Sequence, residues 1–155
     1  MHSLMYAIQT RFVQVCILLA LSLCSKAQFK LEIIWESDST LRVPESVLLD
    51  HERKLLYVSN IDGLDPWGKD NKGFISKVGL DGKIITLEWI RGLSAPKGMA
   101  IYKGLLYVND INEIVVIDIE KNEIKKKIQV PYAERLNDLT AVSYTHLTLP
   151  TNREV

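Results

Sequence analysis

The chain is predicted to be all-β and to form part of a β-propeller: two blades and the start of a third. Three observations lead there. First, Leu55-Leu56-Tyr57-Val58-Ser59-Asn60-Ile61 returns as Leu105-Leu106-Tyr107-Val108-Asn109-Asp110-Ile111, and a repeated unit dictates architecture more strongly than any single-residue motif. Second, the apolar runs are short and rich in β-branched residues, as in Val115-Val116-Ile117-Asp118-Ile119 and Ile84-Ile85-Thr86-Leu87, which is the composition of strands. Third, no stretch beyond the leader sustains a helical period with caps. Small antiparallel sheets repeated in this way and arranged radially make a propeller.

In chain order, Leu31-Glu32-Ile33-Ile34-Trp35 reads as a leading strand that would close the last blade of a ring. Pro44-Glu45-Ser46-Val47-Leu48 opens the first unit and matches Pro96-Lys97-Gly98-Met99-Ala100 in the second. The two Leu-Leu-Tyr-Val runs follow as second strands. Phe74 to Ile84 aligns with Ile114 to Ile124, with Asp81-Gly82 and Lys121-Asn122 as hairpin turns between apolar runs. A third unit begins at Leu136-Asn137-Asp138-Leu139-Thr140-Ala141, about 40 residues after Pro96, the length of a propeller blade. Unit one is longer because Asp62 to Gly73 is inserted between two of its strands. The Gly, Pro and Asn content of that insertion reads as a surface loop, and its Asp residues do not match the spacing of a calcium loop. Trp67 within it is placed to cover the channel mouth and touch a ligand. Tyr57 and Tyr107 recur at one repeat position and read as packing residues. Lys125-Lys126-Lys127 reads as a solvated strand edge that discourages edge pairing, and His51 stands in a turn.

The two ends are expected to lie outside the fold. Arg11, the apolar run Phe12 to Leu23 and then Ser25-Lys26-Ala27 have the layout of a secretory signal peptide, 1–27, with cleavage after Ala27. The run is short for a membrane span; an uncleaved anchor is the alternative, and Leu23 fits a lipoprotein signal poorly. Residues 28–141 are then the N-terminal part of the propeller, in a secreted or periplasmic protein. Val142 to Thr151 breaks the repeat and resembles a translated transposon-type sequencing adapter. GTC TCT TAT ACA CAT CTG ACG CTG CCG ACG encodes those residues in order. A following sample index and GTGTAG would supply the remaining codons, Val155 and the stop. Residues 142–155 are therefore expected to be adapter-derived, the alternative being a genuine C-terminal strand. On that expectation the natural protein continues with further blades, and the present chain exposes sheet edges that they would cover.

Lys and Arg total 19 and Asp and Glu total 19, a formal net charge of zero. Electrostatics thus give no reason to expect nucleic acid or an anionic membrane as partner. Both cysteines, Cys16 and Cys24, lie in the leader, which excludes disulfides, thiolate catalysis and cysteine metal sites from the mature part.

Aligned on one another, the units put Glu45, Lys97 and Asn137 at equivalent positions near the start of each first strand. First strands line the channel of a propeller, so three polar side chains would converge near one mouth. Glu and Asn oxygens suit a hard cation, calcium or magnesium. The same residues would also serve simply to satisfy backbone groups at strand starts, with a Lys97–Glu45 salt bridge as one form of this.

Pro44-Glu45-Ser46-Val47 with Leu55 to Ile61, and Arg135-Leu136-Asn137-Asp138, resemble the SMP-30/gluconolactonase/LRE-like family over essentially the whole of 31–141. The resemblance implies a six-bladed propeller with a divalent cation, calcium foremost, in its channel. It implies metal-dependent hydrolysis of a sugar lactone or related ester by the full-length protein, the present chain by itself being expected to be inactive. By the same resemblance Glu45 is a metal ligand, Asn137 contacts substrate or metal-bound water, and the remaining ligand Asn and the ligand/base Asp belong to later blades. Lys97, read as a substrate contact, departs from the family pattern. The other reading is a non-catalytic propeller, like the NHL-repeat relatives, that binds a protein or glycan.

Overall fold

The computed structural model describes residues 31–37 and 39–141 and the backbone of 147–148. The expected leader lies outside the described residues, as does all of the adapter-like tail except that backbone pair. Two four-stranded antiparallel sheets account for most of the described chain. Sheet one runs in the order β1 (Pro44–Asp50), β2 (Leu55–Asn60), β3 (Gly73–Gly79), β4 (Ile84–Leu93). Sheet two repeats that order with β5 (Pro96–Tyr102), β6 (Leu105–Asp110), β7 (Glu113–Asp118) and β8 (Glu123–Gln129). A short strand β9 (Thr140–Ala141) pairs with β10 (Leu147–Thr148). No helix occurs among the described residues.

The repeat is visible in the pairing. Pro44 lies opposite Asn60 and Pro96 opposite Asp110, and each first strand carries a register shift just after its proline. Proline has no N–H to give the ladder, so it belongs at the first residue of a strand or at a bulge. The two hairpin turns fall where expected, with Gly82 at φ 81° and Asn122 at φ 55°. Gly82 is required twice over: its φ is left-handed, and a Cβ there would meet the Trp35 ring at 2.5 Å. The insertion occupies 61–72 between β2 and β3, where sheet two needs only Ile111 and Asn112. The leading strand expected at 31–35 is not formed; residues 31–37 carry no regular structure.

One alignment is corrected by the register. Ser59 pairs with Ile75, and its counterpart Asn109 pairs with Ile114. Ile75 and Ile114 are therefore equivalent, one residue away from the alignment that set Phe74 against Ile114. Strand side chains alternate with a period of two, so a slip of one exchanges the faces. The β7 run Ile114-Val115-Val116-Ile117 is apolar throughout, so its composition does not change when it slides.

The core lies between the sheets. Tyr57, Ile75, Ile90 and Leu93 of sheet one meet Met99, Leu106, Val108, Val115 and Ile117 of sheet two. β1 and β5 are the first strands of the two sheets and lie beside each other. Leu106 and Val108 point at sheet one, so alternation sends Tyr107 to the opposite face of sheet two. Tyr57, at the same repeat position, is fully buried between the sheets, whereas Tyr107 is half-buried. Equivalent side chains thus face the same way around the repeat.

At the far end of the sheets, Arg53 bonds Asp50 of its own turn at 3.1 Å and reaches Glu120 in the β7–β8 turn. Asn122 in that turn accepts from Trp89 Nε1 at 2.6 Å and from Lys77 Nζ at 3.2 Å. Within this junction the Tyr57 hydroxyl is buried without a hydrogen-bond partner. Burial first, and then Asp50, push its pKa up to about 12. A buried hydroxyl with no partner carries an uncompensated desolvation cost. Tyr57→Phe is therefore expected to be neutral or to stabilise by up to about 1 kcal/mol. Urea unfolding of the two proteins checks this; a clear loss of stability in the variant would mean that the hydroxyl has a partner in solution.

Candidate functional site

The end of each second strand carries a side chain that anchors the segment leading into the first strand. Asn60 accepts from Arg42 N at 3.0 Å through Oδ1, while its Nδ2 donates to Val58 O and Ser76 Oγ. Asp110 accepts from Ser94 N at 2.8 Å and from Ala95 N at 2.7 Å, one on each oxygen. The difference between the copies follows from the count of donors. One N–H converges on position 60, and an amide suffices; two converge on position 110, and only a carboxylate offers two acceptor oxygens without a clashing donor. Ile61 and Ile111, the last residues of the repeated heptad, pack together with Ala95 at the same end. These anchors set the positions of Glu45 and Lys97, each the second residue of its strand.

Glu45 is exposed on β1. Lys97 is 3% exposed, and its Nζ lies 4.5 Å from the centroid of the Trp67 ring. Arg135 addresses the same indole, with Cζ 5.7 Å from the centroid. Trp67 is held by its own loop. Its N–H donates to Asp65 Oδ1 at 3.0 Å, and Gly68 N donates to Asp65 O at 3.2 Å. Asp70 Oδ1 likewise accepts from Lys72 N at 3.1 Å. The acidic residues of the insertion close turns, in line with a loop reading.

Lys97 and Glu45 lie within each other's electrostatic reach, but no ion pair forms between them among the described residues. Burial lowers the Lys97 pKa, partly offset by Glu45 and Asp110. Burial raises the Glu45 pKa; Lys97 opposes this and Asp138 adds to it. Asn137 is exposed, and its side chain makes no hydrogen bond among the described residues. Its backbone is firmly placed. Gly98 N donates to Asn137 O at 2.7 Å, and Leu136 N donates to Ile111 O at 2.7 Å. The buried side chains of Leu136 and Leu139 flank it.

Glu45 and Lys97 are therefore brought together, and the Asn137 backbone is docked beside Lys97. Three participants were not assigned a role in the sequence reading. Asp138 is electrostatically coupled to Glu45, and it was visible only as the neighbour of Asn137. Arg135 shares the indole. Asn109 is fully buried, donates to Asp138 O at 2.8 Å, and leaves its Oδ1 without a partner. The signal for Asn109 was its mismatch with Ser59 in an otherwise close repeat.

Calcium takes six to eight oxygen ligands. Among the described residues no group of three or more His, Cys, Asp or Glu side chains could hold a metal ion. The oxygens near Glu45 share their surroundings with a buried ammonium, whose charge repels a cation. The donors among the described residues do not by themselves complete a divalent-ion site. Beside the Asp110 anchor a polar cleft of about 200 Å³ is lined by Lys69, Asn71, Ser94, Asp110, Asn112 and Glu113. It includes none of Glu45, Lys97 and Asn137.

No protein-family model matches the chain, and no curated protein does. Among solved structures the chain is similar to part of the crystal structure of a nidogen/laminin complex, with 17% sequence identity and a TM-score of 0.33. The match covers 66% of this chain and 53% of that one, so the chain spans about half the length of that relative.

Proposed function

We propose that the two sheets are consecutive blades of a β-propeller with β1 and β5 innermost. On this reading the mouth around Glu45, Lys97 and Asn137 binds a small polar molecule, and the activity is hydrolysis of a sugar lactone or related ester. The protein is exported, to the periplasm or beyond the cell. The observation that carries the reading is the coincidence of repeat and site. Two sheets of identical strand order lay their first strands side by side, and the polar residues at equivalent positions in the repeat gather at one end of those strands.

The chemistry follows from the side chains present. The Asn137 amide offers a donor to a carbonyl oxygen as negative charge builds on it, and the covered Lys97 ammonium adds positive potential there. A carboxylate with a raised pKa is a stronger base than an ordinary one; on this reading Glu45 takes on the ordering and deprotonation of the attacking water that the resemblance would give to a later blade. Glu45→Gln keeps shape and removes the base. In the whole protein it is expected to lower lactone turnover, followed by acid release at constant pH, by roughly 100-fold or more. Unchanged turnover sinks the role of Glu45. If no lactone or ester is turned over by the parent protein while it retains affinity for a glycan or protein, the non-catalytic propeller is the correct reading.

A further inference from the structure

We propose that the positive charge at this mouth is built into the chain as Lys97 and takes the place of a divalent cation. The inference rests on reading Glu45 and Lys97 as parts of one site. A lysine side chain ordinarily carries its ammonium out to water. Lys97 does not: it is 3% exposed, and its Nζ sits 4.5 Å from the Trp67 ring centroid. An aromatic face attracts a cation and holds it without an anionic partner.

The backbone fixes the direction of this side chain. Pro96 lies in register with Asp110, the ladder shifts between Pro96 and Met99, and Gly98 N is bound to Asn137 O at 2.7 Å. The two residues flanking Lys97 are thus both pinned. The nearby acids are consistent with a resident monovalent charge. Glu45 acts on Lys97 electrostatically. Asp110 spends both oxygens on the Ser94 and Ala95 N–H groups. Asp138 Oδ1 accepts from Leu139 N at 2.8 Å. A divalent ion at Glu45 would face repulsion from Lys97 that scales with the product of the charges. Arg135 on the same indole adds a second positive charge to the surroundings. The fixed ammonium suits a ligand that presents an electron-rich oxygen, a carbonyl or carboxylate, directly to the protein.

Terbium ion, a hard-cation probe excited through indole, tests this on the whole chain, because Trp67 adjoins the site. The parent protein is expected to give no saturable sensitised emission at millimolar terbium and no calcium-dependent rise in melting temperature. Lys97→Gln, which removes the charge, is expected to half-saturate at a terbium concentration at least ten-fold lower than the parent. Lys97→Arg, which keeps the charge, is expected to behave as the parent does and serves if the glutamine variant does not fold. Saturable emission in the parent that Glu45→Gln abolishes overturns the proposal, as does identical behaviour of the parent and Lys97→Gln. Saturable emission in the parent that survives Glu45→Gln overturns it as well, since a hard cation is then held beside Trp67 despite Lys97. Neither readout involves turnover, so failure of the hydrolase reading and failure of the built-in cation are seen in separate experiments.

Discussion

Asp110→Ala is expected to destabilise the fold by on the order of 3 kcal/mol, because it strands two buried backbone donors at about 1–3 kcal/mol each. Asp110 is almost fully buried and takes the N–H groups of Ser94 and Ala95, which lead directly into β5. Without it the entry to β5 loses its anchor, and so does the position of Lys97. Asp110→Asn retains one acceptor but turns an amide N–H toward the second donor, so about half the loss is expected. Urea unfolding monitored by tryptophan fluorescence measures both. Equal stability of Asp110→Ala and the parent would refute the anchor.

A pH dependence accompanies this. Burial pushes the Asp110 pKa above its ordinary 3.8, against the pull of the Ser94 and Ala95 N–H groups and Lys127. A folded-state pKa above the unfolded one means that the fold disfavours the ionised form. Its contribution is fully present below the unfolded value of 3.8 and is lost as pH rises through the raised folded value. Relative to Asp110→Asn, the parent is therefore expected to lose stability as pH rises across that window. A difference independent of pH would remove the raised pKa from the account.

Gly98→Val is the second large effect. A Cβ at position 98 would stand 2.8 Å from Asn137 O and 2.8 Å from Asp138 Cα. Both are backbone atoms, and the strand cannot retreat without breaking the Gly98 N to Asn137 O bond. Overpacking against an immovable wall costs about 1–3 kcal/mol, and loss of the hydrogen bond adds about 1 kcal/mol. The effect should be local as well as global. Amide exchange is expected to quicken at Gly98 and Leu136, where the segment is pinned, and to change little in β2 and β3. Unaltered exchange and melting in Gly98→Val would show that residues 136–138 do not lie against β5 in solution.

The repeat was the most legible part of the chain. It located β1, β2, β5 and β6, the hairpin turns at 82 and 122 and the insertion before β3, because each depends on local composition and turn chemistry. The register of the third strands was not legible, since the apolar run Ile114 to Ile117 reads the same after a slip of one residue. The leading strand at 31–35 was expected from its β-branched residues, yet residues 31–37 form no strand. Where the third unit was expected, the described residues form the two-residue strand β9, paired with β10. In the site, aligning the copies found Glu45, Lys97 and Asn137, but the alignment carried no information about Arg135 or about the orphaned Oδ1 of Asn109.

What the sequence alone determined is the unit: four short strands, their turns, and which positions recur. These are properties of neighbours along the chain, where alternation and turn residues act within a few bonds. The tertiary structure decided which copy of each recurring side chain is buried and which charges meet. Tyr57 and Tyr107 occupy one repeat position and differ in exposure because only Tyr57 faces the other sheet. Lys97 lies covered under Trp67 because a loop inserted some thirty residues earlier (Trp67 to Lys97) folds back over β5. Burial and charge pairing depend on surfaces brought together across the fold, and a linear pattern does not specify which surfaces those are.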